Sequence, residues 1–199
     1  FSYAQALATG YTVNCPESPS TVTNDMREIG PTYYFAPPRV FEGMLTSVSI
    51  RMEDAARFKQ RMHAYFMGVA RRVGSDILDG KPVGLGDRLL YGVGKLLVYG
   101  PLKNAMGLSR IRVAYTAGAA IGPDLFRFFR SIGVNLKQLY GQTETSPGVT
   151  MTTTRDPIDK RVATVGRVFP HTEIKIIDPE TKKVVPRGEI GEICARGYM

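Results

Sequence analysis

Residues 111–145 read IRVAYTAGAAIGPDLFRFFRSIGVNLKQLYGQTET, and this stretch decides the fold. In its first part, large apolar or aromatic residues at 111, 113 and 115 alternate with other residues in a short run that ends at Gly118, which is typical of a strand. Pro123 suits the first turn of a helix, and Gly133 suits the end of that helix. Residues 134–140 are again strand-like. The stretch therefore predicts a βαβ unit with two parallel strands and a right-handed crossover.

Upstream of this unit, the sequence predicts mostly helices. The predicted elements are the end of a helix before residue 10, a short helix after residue 20, a strand over 32–36, a helix over 53–73, and a broken helix or helix pair over 85–106. We interpret Pro37 and Pro38 as the stop of the strand. Gly100 and Pro101 are expected to interrupt the last helical run.

Downstream, residues 173–177 and 189–196 alternate as strands do, and 178–183 form a turn-rich cluster between them. This pattern predicts an antiparallel pair in a second, smaller sheet. The expected fold class is α/β, with a partly parallel sheet, flanking helices and a small antiparallel β subdomain. We expect residues 1–150 to form the α/β portion that carries the site, and residues 151–199 to begin the β subdomain.

Composition excludes several classes of protein. Apolar residues make up 43% of the 199 residues and charged residues 22%, which is ordinary for a folded domain. No run approaches the roughly 20 apolar residues of a membrane-spanning helix. Two cysteines are too few for a disulfide framework, and they fit a reducing, cytoplasmic setting. The net charge of +8 leaves a mild positive field that suits a nucleotide, a coenzyme A phosphate or an anionic membrane surface.

Both ends of the βαβ unit carry residues suited to a nucleotide. The carboxyl ends of neighbouring parallel strands meet at one edge of a sheet, where ligands bind in open α/β folds. Tyr140 offers a flat ring that can stack on a base, and Gly141 allows close approach of a ligand. Thr143 supplies a hydroxyl, and Glu144 supplies a hard oxygen ligand for Mg²⁺. On spacing alone, a glycine turn with a surface glutamate explains the same residues equally well.

The run from residue 140 to 144, YGQTE, is similar to the tyrosine–glycine–any–threonine–glutamate signature of the adenylate-forming superfamily. Residues 112–146 resemble its long-chain fatty acyl-CoA synthetase branch in particular. Residues 165–199, which read VGRVFPHTEIKIIDPETKKVVPRGEIGEICARGYM, resemble the downstream region of the same family, including its element at Gly191, Glu192 and Gly197. The resemblance spans essentially the whole chain and is strongest over residues 112–146.

The resemblance implies a role for each residue of the motif. Tyr140 stacks on adenine, Thr143 binds the α-phosphate or the acyl carboxylate, and Glu144 holds Mg²⁺; the last two are the implied catalytic residues. Residues 145–149 border the acyl pocket. The residues implied to bind the nucleotide are Gly118, Ala119, Ala120, Tyr140, Gly141 and Thr143.

The same resemblance implies ATP, Mg²⁺ and coenzyme A as cofactors and a fatty acid as substrate. Nothing in the 199 residues matches the phosphate loop of the family or its carboxy-terminal domain with a catalytic lysine. We therefore expect the chain to be an internal fragment of the large domain of such an enzyme, and to be inactive alone.

Two alternatives stay open at this stage. Another adenylate-forming enzyme, such as an aryl or medium-chain acyl-CoA ligase or a peptide-synthetase adenylation domain, shares the same motif. A basic, non-catalytic module that binds nucleic acid or membrane is the alternative of a different class. We expect no nucleic-acid partner, because the basic residues are scattered in the sequence and no nucleic-acid-binding motif accompanies them. Residues 89–102 could touch a membrane, although core packing is the simpler explanation.

Overall fold

A five-stranded sheet organises the computed structural model, which describes residues 4–145 and 148–197. Strands β1 (Tyr33–Ala36), β2 (Val113–Thr116) and β3 (Leu136–Tyr140) are parallel neighbours in that order. Strands β4 (Thr150–Met151) and β5 (Arg167–Val168) continue the sheet in antiparallel fashion. The partly parallel α/β sheet predicted from the sequence is confirmed.

The βαβ unit forms as predicted. Helix α8 (Pro123–Ser131) crosses from β2 to β3, which pair in parallel register with Ala114 opposite Leu136. Pro123 lies in the first helical turn, where its missing N–H costs no hydrogen bond. Phe126 and Phe129 are fully buried on the inner face of α8, and each such burial contributes about 1.5–3 kcal/mol.

The remaining helices pack mostly against one another and against α8. They are α1 (Ala4–Thr9), α2 (Val22–Ile29), α3 (Pro38–Glu53), α4 (Arg57–Val69), α5 (Ser75–Leu78), α6 (Leu85–Gly94), α7 (Gly100–Ala105) and α9 (Ile158–Ala163). Two five-residue π-helical segments, Ala70–Gly74 and Lys95–Tyr99, join α4 to α5 and α6 to α7. A π turn closes its hydrogen bond over one more residue than an α turn, so it shifts which residues face the core.

The sequence prediction missed one helix and placed the start of another too early. The prolines after β1 do not only stop the strand, because Pro38 is also the first residue of α3, a helix that the sequence did not predict. Proline at a first helical position has a suitable φ and needs no N–H partner. The helix predicted over 53–73 begins at Arg57 and continues past Val69 as a π-helical segment. The break predicted in 85–106 is the π-helical segment just before Gly100.

Two buried tyrosines join the helices to each other. The Tyr91 hydroxyl donates a hydrogen bond to the carbonyl of Ser131 at 2.9 Å, and the Tyr99 hydroxyl donates one to the carbonyl of Phe66 at 2.6 Å. Burial raises the pKa of Tyr91 and of Tyr99 to about 12. Gly74 lets its backbone approach Ser131 closely, because an added Cβ would lie 2.0 Å from that carbonyl oxygen.

A buried ion triad connects α5, α8 and α9. Asp79, just after α5, accepts hydrogen bonds from Arg130 Nη2 and Arg161 Nη2, each at 2.6 Å. The three side chains are 4%, 1% and 3% exposed, respectively. Burial lowers the pKa of Arg130, and Asp79 opposes that shift. The remaining guanidinium protons bond to oxygens such as the Leu136 carbonyl at 3.2 Å.

The second sheet contains β6 (Thr172–Ile177) and β7 (Glu192–Gly197), which pair antiparallel as predicted. Strand β7 begins three residues later than the sequence suggested. Asp178 forms the predicted turn, since its Oδ1 accepts hydrogen bonds from the N–H groups of Glu180 and Thr181. The predicted domain boundary after residue 150 stays a prediction. No helix within the described ranges is long and apolar enough to cross a membrane.

Candidate functional site

The carboxyl ends of β2 and β3 bring the two halves of the predicted site to one edge of the sheet. Thr116 pairs with Gln138 in the parallel register. Gly118 and Tyr140 each follow these partners by two residues, so they lie at the same level of neighbouring strands. The first half of the site is the turn after β2, and the second half is the end of β3 with the residues that follow.

The turn after β2 is open and lined by small residues. Gly118, Ala119 and Ala120 are all exposed. Gly118 has a φ of +90°, and a Cβ added there would meet no atom within 4 Å. The next residue, Ile121, is buried and anchors the turn to the core. This geometry leaves room for a planar ligand to lie against the backbone.

Tyr140 is half-buried and held at the end of β3 by two contacts. Its carbonyl accepts a hydrogen bond from the N–H of Val149 at 2.8 Å. Its hydroxyl accepts a hydrogen bond from Gln142 Nε2 at 2.9 Å. Gln142 thus orients the ring, which is a role that the sequence did not assign to it.

A 3₁₀ turn, Thr143–Thr145, follows the half-buried Gly141. Thr145 Oγ1 accepts a hydrogen bond from the N–H of Gln142 at 2.9 Å and donates one to its carbonyl at 3.0 Å. Our sequence reasoning did not assign this bond to Thr145. The turn leaves the side chains of Thr143 and Glu144 exposed, and no hydrogen bond within residues 4–145 and 148–197 engages either one.

Glu144 is the acid at this edge that could hold a metal. No group of three or more His, Cys, Asp or Glu in the described part of the chain has metal-binding geometry. Mg²⁺ in nucleotide sites is often held by one or two carboxylates together with substrate phosphates and water. A single exposed glutamate therefore fits a magnesium ion that arrives with a nucleotide, and it does not fit a structural metal site.

Two buried polar atoms lie just inside this edge without a hydrogen-bond partner among the described residues. They are Thr116 Oγ1 and Gln138 Oε1, on paired residues of β2 and β3. Gln138 shares its face of the sheet with Tyr140, because side chains alternate along a strand. An unpaired buried polar group costs about 1–3 kcal/mol. A polar group that reached this point would be stabilised by these two atoms.

The predicted acyl-pocket border is described only in part. Ser146 and Pro147 lie outside the described residues. Val149 is buried beside β3, and Gly148 packs close to Phe169. Of the element at Gly191, Glu192 and Gly197, the last two lie in β7 and Gly191 directly precedes that strand.

A cavity of about 660 Å³ lies elsewhere, at the amino ends of β1 and β2. Asp25, Tyr33 and Arg110 are among its lining residues. This cavity is therefore at the opposite end of the strands from the candidate site. Ligands in open α/β sheets bind at the carboxyl ends of the strands, where the candidate site lies.

Comparison with known proteins gives a family match over nearly the whole chain. A family model described as AMP-binding enzyme matches residues 2–199. The 4-coumarate–CoA ligase 1 of Glycine max is 43% identical over 94 residues, which are 45% of this chain and 32% of that protein. The medium-chain acyl-CoA ligase ACSF2 of Bos taurus is 38% identical over 46% of this chain and 15% of its own length.

A longer match reaches the long-chain-fatty-acid–CoA ligase ACSBG2 of Xenopus laevis, which is 28% identical over 156 residues. These residues are 78% of this chain and 20% of that protein. This chain therefore spans between 15% and 32% of the lengths of these three relatives.

Among solved structures, the long-chain-fatty-acid–CoA ligase FadD1 of Archaeoglobus fulgidus superposes with a TM-score of 0.51 at 17% identity. The superposition covers 89% of this chain and 27% of that one. At this level of identity, the likeness shows a shared fold.

Proposed function

The chain belongs to the AMP-binding enzyme family, and from this premise we propose that the protein activates a long-chain fatty acid with ATP and transfers it to coenzyme A. The relatives are acyl-CoA ligases of several substrate classes, so the family supports an acyl-CoA ligase in general. The single observation that carries the proposal is the shared edge of β2 and β3, where an open small-residue turn lies level with Tyr140.

In this proposal, each half of the site has its own task. Adenine lies between the Tyr140 ring and the backbone of the Gly118, Ala119 and Ala120 turn. Gly141 allows the phosphates to pass close to the chain, and the Thr143 hydroxyl donates a hydrogen bond to an α-phosphate or carboxylate oxygen. The contact between Gln142 and the Tyr140 hydroxyl keeps the ring ready for stacking before ATP arrives.

The proposed reaction has two steps. A carboxylate oxygen attacks the α-phosphorus of ATP, which gives an acyl-adenylate and releases pyrophosphate. The thiol of coenzyme A then attacks the acyl carbonyl carbon and releases AMP. When bound to Glu144, Mg²⁺ would neutralise charge on the phosphates. The chain itself contributes mainly positioning of the adenine and of the attacked phosphate.

Long-chain fatty acid is the acyl class that we propose, because the long-chain ligase ACSBG2 matches the longest stretch of this chain among the relatives described above. A medium-chain or aryl acid is the second candidate, and it is favoured by the higher identity of the shorter matches. The free cysteines Cys15 and Cys194 agree with the cytoplasmic setting that we propose.

The test uses the full-length native protein, because this chain spans only part of its relatives' length. Acid-dependent exchange of pyrophosphate into ATP is measured with fatty acids of increasing length and with 4-coumarate. Exchange that is strongest with long-chain acids supports the proposal. Exchange with 4-coumarate or medium-chain acids alone would replace the acyl class, and no exchange with any acid would refute the function.

Tyr140 offers a matched pair of variants for the same assay. Tyr140→Phe keeps the ring and loses only the orienting contact with Gln142, so the KM for ATP should rise less than it does in Tyr140→Ala. Tyr140→Ala loses the stack, which is worth about 1–3 kcal/mol per base. The KM for ATP should therefore rise by roughly tenfold. Equal KM values for the two variants would contradict stacking on Tyr140.

A further inference from the structure

A buried threonine, Thr152, holds both backbone polar groups of Gln138 in β3. The N–H of Thr152 donates a hydrogen bond to the carbonyl of Gln138 at 2.9 Å. The Thr152 hydroxyl accepts a hydrogen bond from the N–H of Gln138 at 2.9 Å and lies 3.3 Å from the Gln138 carbonyl oxygen. Thr152 is 1% exposed and Gln138 is 5% exposed. The contact is therefore formed and closed to solvent by residues of this chain alone.

The side chain of Thr152 takes the place of a backbone group in the pairing of β3 with β4. The register pairs Tyr140 with Thr150, which sets Gln138 opposite Thr152. In a regular antiparallel sheet, two residues at a hydrogen-bonded position exchange both of their backbone bonds. Here the N–H of Gln138 bonds to the Thr152 hydroxyl instead of the Thr152 carbonyl. Since β4 has only two residues, this bond extends the support of β3 by one position.

Gln138 connects this bond to both halves of the candidate site. It pairs with Thr116 of β2, two residues before Gly118, and it precedes Tyr140 by two residues in β3. Side chains two residues apart in a strand lie on the same face, so the position of Gln138 sets that of the Tyr140 ring. The Oε1 atom of Gln138 has no hydrogen-bond partner among the described residues, so Gln138 is held through its backbone.

The turn that follows β4 fixes Thr152 in turn. The N–H and the hydroxyl of Thr153 both donate hydrogen bonds to Asp156 Oδ2, at 3.1 and 2.7 Å. Arg161 Nε donates one to the carbonyl of Asp156 at 2.6 Å. The same guanidinium group is held by Asp79 in the buried ion triad. The hydroxyl that supports β3 is thus attached to the most strongly bonded part of the core.

We propose that Thr152 is a positioning residue for ATP, because its hydroxyl fixes the end of β3 where the Tyr140 ring meets adenine. This inference rests on the proposed function, in which adenine lies between Tyr140 and the turn after β2. Without the hydroxyl, the N–H of Gln138 loses its acceptor and the end of β3 loses one of its anchors. Thr152 is buried and acts through Gln138, so its loss weakens ATP binding without removing a group that contacts the reacting atoms.

The test is isothermal titration calorimetry of the full-length native protein and its variants with ATP in the presence of Mg²⁺. Thr152→Val keeps the shape of the side chain and removes the hydroxyl. Its Kd for ATP should rise by roughly three- to tenfold, the factor that one net hydrogen bond is worth. Thr152→Ser restores the hydroxyl and should bring the Kd back towards the native value. A variant that only folded less completely would show fewer binding sites per chain at an unchanged Kd.

Thr150→Val is the matched control. Thr150 lies in the same short strand and is 5% exposed, but its hydroxyl donates a hydrogen bond to the carbonyl of Val165 at 2.8 Å, on the β5 side of β4. This variant loses a hydrogen bond of the same kind without touching Gln138. It should lower the melting temperature about as much as Thr152→Val does, and it should keep the native Kd for ATP.

Hydrogen exchange followed by mass spectrometry adds a measurement that needs no ligand. The amide of Gln138 should exchange faster in Thr152→Val than in the native protein, because its acceptor is gone. In Thr150→Val, the same amide should exchange as it does in the native protein.

Three results would overturn the inference. These are a native Kd for ATP in Thr152→Val, an equal rise of the Kd in Thr150→Val, or unchanged exchange of the Gln138 amide in Thr152→Val. Each of them leaves the proposed function standing, provided that the native protein binds ATP and exchanges pyrophosphate. A native protein that bound no ATP would refute the proposed function itself, and the inference with it.

Discussion

Replacing Asp79 by Asn is expected to destabilise the protein more than any exposed charge change. Asn has nearly the same shape, but it leaves Arg130 and Arg161 as two buried guanidinium groups without their counter-charge. Breaking a buried ion pair from one side costs about 3–5 kcal/mol. For a domain of this size, each kcal/mol lowers the melting temperature by about 2–4 °C. The expected decrease is therefore roughly 6–20 °C.

Urea denaturation followed by circular dichroism measures the change in the free energy of unfolding. Asp159→Asn is the matched control, because Asp159 pairs with Arg127 at 2.8 Å while its side chain is 82% exposed. That variant should lose no more than about 1 kcal/mol. If Asp79→Asn lost as little as the control, the reasoning that the carboxylate compensates both arginines would be wrong.

Two further predictions concern acid and backbone conformation. Hydrogen bonds from Thr153, and next the contact with Arg167, lower the pKa of Asp156 from 3.8 to about 2. The stability that this carboxylate contributes is present above about pH 4 and is lost as the pH falls through about 2. The urea midpoint of Asp156→Asn should therefore depend less on pH over that window than the urea midpoint of the native protein. An equal pH dependence of the two proteins would contradict this prediction. Gly118→Ala should cost about 1–2 kcal/mol for its left-handed φ and also raise the KM for ATP. Gly80→Ala is the control, because Gly80 also has a left-handed φ at an open turn, and it should leave the KM for ATP unchanged. Equal KM values for Gly118→Ala and Gly80→Ala would count against the candidate site.

The βαβ unit was predictable because its signals are local. Pro123 and Gly133 mark the two ends of α8, and both act through backbone conformation that no distant contact overrides. Helix α3 was missed because the two prolines before it carry two meanings, the end of a strand and the first turn of a helix. Only the chain that follows decides between them. Its apolar residues recur at helical spacing and pack on the core, a signal that our sequence reasoning did not use; they are Val40, Phe41, Met44, Leu45, Val48 and Met52.

The candidate site was predictable as a place but not in its supporting contacts. Parallel pairing of β2 and β3 follows from the sequence pattern, and it sets Gly118 level with Tyr140. The bonds that Gln142 and Thr145 make depend on side-chain direction in a tight turn, which the sequence does not encode as a period.

The ion triad also sets an order of events while the chain is being made. Asp79 leaves the ribosome first, Arg130 follows 51 residues later, and Arg161 completes the set 82 residues after Asp79. At synthesis rates of about 5–20 residues per second, the last partner arrives roughly 4–16 s after the carboxylate. Until Arg130 emerges, burial of the end of α5 would leave the Asp79 charge unmatched. The complete triad forms only after the segment beyond β4 has emerged, because Arg161 lies there.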